Sequence, residues 1–133
     1  MTDVQNAIRG PEPFTVTADD GVVLSGEVVG KGRDVLLLHG LSATRRYVLM
    51  GSRLLEKGGF RVISYDARGH GKSEPAESPD SYTYSKLTSD ARAVMEAVGA
   101  LSPILVGVSM GAHTAAALVG EKGNTVGAAL FIT

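Results

Sequence analysis

The chain contains no cysteine and no tryptophan. Without thiols it has neither a disulfide framework nor a thiolate metal site. Its three histidines, His39, His70 and His113, lack the paired spacing of a metal-binding motif. No metal and no other cofactor are therefore expected. No apolar run is long enough to span a bilayer. The first residues, "MTDVQNAIRGPEPF", hold no continuous apolar stretch of the kind a signal peptide needs. The expectation is a cytoplasmic protein with no membrane partner. An excess of one charge is missing as well: 13 Lys+Arg stand against 14 Asp+Glu, for a formal net charge of −1. Nucleic acid is excluded as a partner on that ground, because phosphate-backbone binding needs a concentrated basic surface. Linkers, repeats and low-complexity blocks are absent, and Glu74 to Ser81 reads as a polar loop.

What is present is 133 residues with 44% hydrophobic and 20% charged content, enough for one soluble domain with a real core. Phe14 to Thr17 alternates apolar and polar. Asp19-Asp20-Gly21 then supplies turn chemistry before Val22 to Val29. This predicts an antiparallel hairpin at the start of the fold. The later apolar runs do not alternate: Val35–Leu38, Arg61–Tyr65, Ile104–Val106 and Ala128–Ile132. Such runs suit strands covered on both faces, as in a parallel sheet. Helices are expected between them, over Thr44 to Lys57 closed by Gly58-Gly59, over Leu87 to Val98 closed by Gly99, and over Met110 to Val119. The fold class is α/β, a mostly parallel sheet with flanking helices and an N-terminal hairpin.

Three motifs carry chemistry. In Gly107-Val108-Ser109-Met110-Gly111 a serine follows an apolar strand and opens a helix. A sharp strand-to-helix turn needs small flanking residues, and it lifts the serine to the sheet edge where open α/β sheets bind ligands. The bland reading is a serine capping a helix in a glycine-rich turn, and the context weighs against it. The second motif is His39-Gly40-Leu41, directly after a strand. Acyl transfer needs donors for a tetrahedral oxyanion, and backbone N–H groups of Leu41 and Met110 are suitably placed for that task. The third is Asp66-Ala-Arg-Gly-His-Gly-Lys-Ser73. Its tail imitates a phosphate-binding loop, but that motif needs a glycine where Asp66 stands, so this stretch reads as a polar turn.

These motifs, quoted as "LLLHGLSATRRY", "SYDARGHGKS" and "GVSMGAHTA", resemble the signatures of the α/β-hydrolase fold family in their usual order. The resemblance implies Ser109 as nucleophile, with the amides of Leu41 and Met110 as the oxyanion hole. It implies a small-molecule ester or lactone as substrate. The short His-Gly form differs from the triple-glycine loop of some lipases. Serine at the elbow argues against haloalkane dehalogenases and dienelactone hydrolases.

In that family the triad runs Ser, then Asp or Glu, then His. After Ser109 the chain offers only Glu121 and His113. His113 lies one turn into the helix that Ser109 opens, so packing or a local hydrogen bond is expected of it. His39 and His70 sit at structural positions of the motifs, and Asp66 at a turn. The acid and the histidine of the triad are thus expected beyond Thr133. Residues 1–133 are read as the N-terminal part of one hydrolase core domain, cut after its sixth strand and inactive alone. A bare apolar strand at Ala128–Ile132 would then invite self-association. Two other readings share these residues. One is an acyltransferase or C–C bond hydrolase using the same serine, and the other is a non-catalytic relative that only binds.

Overall fold

The computed structural model describes residues 10–133. Six strands form one sheet: β1 (Glu12–Thr17), β2 (Val23–Val29), β3 (Arg33–Leu38), β4 (Phe60–Tyr65), β5 (Ile104–Val108) and β6 (Ala128–Ile132), in the order β1-β2-β4-β3-β5-β6. The expected hairpin is present. β1 pairs antiparallel with β2 in a register that sets Phe14 opposite Gly26. The turn closes through Ala18 N–H to the Val22 carbonyl, with Gly21 at φ 92° in the left-handed region. β2 also pairs antiparallel with β4. From there the sheet is parallel, through β3/β4, β3/β5 and β5/β6.

Two long helices lie between the later strands, α2 (Tyr84–Val98) and α3 (Met110–Gly120), after a single-turn α1 (Leu54–Lys57). Thr83 caps α2 by accepting the Lys86 N–H at 3.2 Å, and Gly99 ends it at φ 72°. The Ala100 N–H returns to the Met95 carbonyl, which satisfies one of the carbonyls left over at the helix end. The helix expected over Thr44 to Lys57 does not form as one element. A 3-10 turn at Arg45–Tyr47 and the short α1 replace it. Met50 at φ 53° and Gly51 at φ 82° interrupt the helical path between them. Apolar spacing in this segment suits a helix, while the break comes from backbone angles that spacing does not report.

The two faces of the sheet differ. α2 and α3 cover one, burying Leu24, Leu36, Leu38, Ile63 and Leu105 against Ala91, Val94, Ala115 and Leu118. The other face holds a smaller cluster of Val35, Leu37 and Val62 under the 45–57 segment. A groove of ≈ 580 Å³ opens there, floored by Val29, Leu37 and Val62. Strand periodicity explains the division, since alternate residues of β3 and β4 serve opposite faces. β6 departs from the expectation of a strand covered on both faces. Leu130, Phe131 and Ile132 are all exposed, because β6 is an outer strand of the sheet.

Candidate active site

β5 delivers the chain to Ser109, which stands exposed at the C-terminal edge of the sheet, immediately before α3. Ser109 has φ 53° and ψ −111°, a conformation that an L side chain rarely occupies. Such an outlier costs about 1–3 kcal/mol and persists only where the surroundings over-determine it. Here three main-chain bonds do so. The Ser109 N–H donates to the Ile132 carbonyl at 2.8 Å, and its own carbonyl accepts from Ala112 and His113 N–H.

The flanking glycines have a steric cause. A Cβ on Gly107 would overlap the Gly111 backbone, and one on Gly111 would overlap the Leu38 carbonyl. α3 therefore starts in direct backbone contact with β3 and β5. A Cβ on Gly40 would lie 3.3 Å from Ser109 Cβ, so the loop leaving β3 passes beside the elbow. The structure thus brings Ser109, Met110 and the His39-Gly40-Leu41 loop together. Met110 occupies the first position of α3, where an N–H has no intrahelical acceptor. Among the described residues, neither the Met110 nor the Leu41 N–H has a hydrogen-bond partner, and none reaches Ser109 Oγ.

A second layer fixes the loop after β3. His39 Nε2 accepts the Ala67 N–H at 2.9 Å. An amide can only donate, so that nitrogen is unprotonated and Nδ1 carries the hydrogen, which it donates to the Gly40 carbonyl at 2.7 Å. Burial holds the His39 pKa below its ordinary value, which favours this neutral form. His70 repeats the pattern: its Nε2 accepts Ser42 N–H at 3.2 Å and its Nδ1 donates to the Arg68 carbonyl. Fully buried Asp66 accepts from Arg45 N–H at 2.8 Å, Arg45 Nη1 at 2.6 Å and Lys72 N–H at 3.1 Å. The segment from Asp66 to Ser73 is therefore a clamp on residues 39–45.

Asp66, a turn residue by its place in the sequence, also binds Arg45, which no motif announces. An ion network lies beside it. Arg68, with no exposed surface, forms a fork to Asp90 at 2.7 and 2.8 Å and a second to Asp20 at 2.8 and 3.1 Å. The guanidinium holds the Asp20 carboxyl down at about 2, and the bond to Asp90 raises the Arg68 pKa further. The signal in the sequence was an arginine in an otherwise buried strand-end turn, which needs a carboxylate partner.

The two residues after Ser109 with suitable chemistry are engaged elsewhere. The His113 ring rests on Tyr84, with centroids 5.3 Å apart, and Glu121 pairs with Arg92 at 3.2 Å beyond the far end of α3. All three histidines are thus committed to other contacts.

Comparison with known proteins identifies the fold. The pattern of the alpha/beta hydrolase fold family matches residues 35–132. A Bacillus subtilis protein, AB hydrolase superfamily protein YisY, is 34% identical over 97 residues, which make up 72% of this chain and 35% of that protein. The crystal structure of epoxide hydrolase VrEH1 from Vigna radiata superposes with a TM-score of 0.84 at 29% identity, covering 92% of this chain and 40% of that one. An esterase from Exiguobacterium antarcticum gives 0.80 at 29% identity, covering 88% and 43%. The chain spans less than half the length of each of these proteins. No helix among the described residues is long and apolar enough to cross a membrane. With its elbow, its neighbouring loop and its sheet order in place, the chain belongs to the alpha/beta hydrolase fold family.

Proposed function

We propose that Ser109 is the nucleophile of an ester or lactone hydrolase, with the Leu41 and Met110 amides as its oxyanion hole. The base and the acid that orients it come from protein outside the described residues. A serine hydroxyl is a weak nucleophile near neutral pH until a base takes its proton. With that base in place, Ser109 Oγ bonds to the acyl carbon and the proton passes to the base. The carbonyl oxygen gains the electron pair and sits between the two amides. Collapse breaks the bond to the alcohol, which leaves with the proton, and water then releases the acid from Ser109 by the same route.

The observation that supports this reading is the strained, exposed Ser109 beside the Gly40 loop, with the neighbouring Leu41 and Met110 amides lacking a hydrogen-bond partner among the described residues. Serine also separates the chemistry from that of the epoxide hydrolase it superposes on. Attack of a serine oxygen on an epoxide would leave an alkyl ether, which water does not cleave, so the enzyme would stop after one event. Attack on an ester leaves an ester, which water cleaves. The acyl class is the one this nucleophile can turn over.

A fluorophosphonate probe tests the proposal. Fusing the chain to the segment that follows the matched region of the Exiguobacterium antarcticum esterase should allow Ser109 to be labelled. The Ser109→Ala fusion should stay unlabelled, and the unfused chain should label far more slowly. A folded fusion that cleaves esters and labels at another residue would overturn it.

A further inference from the structure

Both peptide groups that flank Leu41 are held by a histidine. The Gly40 carbonyl accepts His39 Nδ1–H at 2.7 Å, and the Ser42 N–H donates to His70 Nε2 at 3.2 Å. The first of these bonds acts on the group that carries the Leu41 N–H. A peptide is planar, and in its trans form the carbonyl and the N–H point in opposite directions. No cis peptide occurs among the described residues. Fixing the Gly40 carbonyl on the His39 ring therefore turns the Leu41 N–H away from that ring. We propose that His39 is a positioning residue whose Nδ1–H aims the Leu41 amide at the oxyanion formed beside Ser109; this rests on the acyl chemistry proposed above.

The surroundings agree with that direction. The His39 ring is buried, with 3% of the residue exposed, while Leu41 is 71% exposed and Ser109 is exposed too. Turned from the ring, the Leu41 N–H leaves the core on the open side of the loop, and it has no partner among the described residues. A Cβ on Gly40 would lie 3.3 Å from Ser109 Cβ and 3.9 Å from Ser109 Oγ, so the aimed group starts beside the nucleophile. Ala43 N–H also reaches the Gly40 carbonyl, at a longer 3.2 Å, but Ala43 belongs to the loop being positioned. The imidazole is the fixed reference. Its far nitrogen, Nε2, accepts the Ala67 N–H at 2.9 Å from the turn that follows β4.

The aim depends on which ring nitrogen carries the hydrogen. With Nε2 taken as an acceptor, the hydrogen lies on Nδ1 and the carbonyl has its donor. The other tautomer would set a bare Nδ1 against the Gly40 oxygen and an Nε2–H against the Ala67 N–H, two repulsive contacts at once. Ala67 thus selects the tautomer, and the tautomer holds the peptide. The His70 bond acts one peptide later, on the group that carries the Leu41 carbonyl, and so does not set the Leu41 N–H.

Two conservative substitutions separate aiming from support. Asparagine places its amide nitrogen near Nδ1, so it keeps the donor to Gly40 and loses the acceptor for Ala67. Glutamine places its carbonyl oxygen near Nε2 and does the reverse. In the chain itself, NMR should find the Leu41 amide and Gly40 carbonyl signals of His39→Asn close to the parent's and those of His39→Gln displaced. Urea unfolding should rank His39→Gln at least as stable as His39→Asn, the opposite order. In the fusion described above, the maximal rate of fluorophosphonate labelling at Ser109 should fall about ten- to hundredfold in His39→Gln, less than the loss of an oxyanion donor outright. The half-saturating probe concentration should not change, and His39→Asn should keep most of the parent's rate. Equal labelling of both variants would overturn the positioning role while leaving Ser109 as nucleophile. A parent fusion that does not label would instead defeat the nucleophile, and the NMR comparison would then decide the aim, equal displacement in both variants overturning it. If either variant does not fold, the ring nitrogen shifts of the parent decide: a hydrogen on Nδ1 of His39 supports the proposal, and one on Nε2 overturns it.

Discussion

Replacing Ser109 by glycine should make the protein more stable while removing its nucleophile. Ser109 sits at φ 53° and ψ −111°, where its Cβ is the source of the conflict. Removing that Cβ relieves about 1–3 kcal/mol of strain. Glycine gives back about 0.5–1 kcal/mol through the greater freedom of the unfolded chain. Alanine is the proper reference, since it also loses the hydroxyl but keeps the Cβ and hence the strain. The hydroxyl has no hydrogen-bond partner among the described residues, so its loss is common to both variants and small. At the middle of both ranges Ser109→Gly should therefore exceed Ser109→Ala by about 1 kcal/mol, or a rise in Tm of about 4 °C for a domain of this size. Thermal and urea unfolding followed by circular dichroism would read the difference. A glycine variant no more stable than the alanine variant would refute the idea that this turn stores strain.

Gly111→Ala should fail to fold or lose about 3 kcal/mol or more, because the new methyl meets the Leu38 carbonyl and α3 must move; urea titration would show it. Asp90→Asn should destabilise by about 1–3 kcal/mol, because the amide keeps one of the two acceptors of that fork and removes its charge while Asp20 still pairs with Arg68. Stability should also fall on acidification. His39 has a folded pKa below its unfolded value of 6.5, so its contribution is full above 6.5 and declines as pH drops toward the depressed value. Urea midpoints at pH 7.5 and 5.5 should differ in the parent and converge in His39→Gln.

The strands were legible because their apolar runs are short and bounded by turns, and β6 is found where Ala128–Ile132 suggested. α2 was clear at its end, where Gly99 is the stop, but it begins at Tyr84 under the Thr83 cap, three residues before the expected Leu87. The 44–57 segment was not, since the break at Met50 and Gly51 is a matter of backbone angles rather than hydropathy. In the site, the elbow could be read because Gly107 and Gly111 answer a local steric demand. The clamp formed by Asp66, His39 and His70 could not. Its bonds between loops join residues 21 or 28 positions apart, and no spacing rule announces that a histidine will accept an amide proton from another loop. Arg68 was overlooked for a related reason: its carboxylate partners, Asp20 and Asp90, lie far along the chain in both directions.

The central claim is covalent catalysis at Ser109, and intact-protein mass spectrometry tests it most directly. The chain fused to a histidine-bearing hydrolase segment is mixed with an activated phenyl ester, quenched in acid within the first turnover and digested. The account predicts one acyl group per chain, on the peptide holding Ser109, and none in Ser109→Ala. Ester turnover that survives Ser109→Ala, or an acyl group on any other residue, would contradict it.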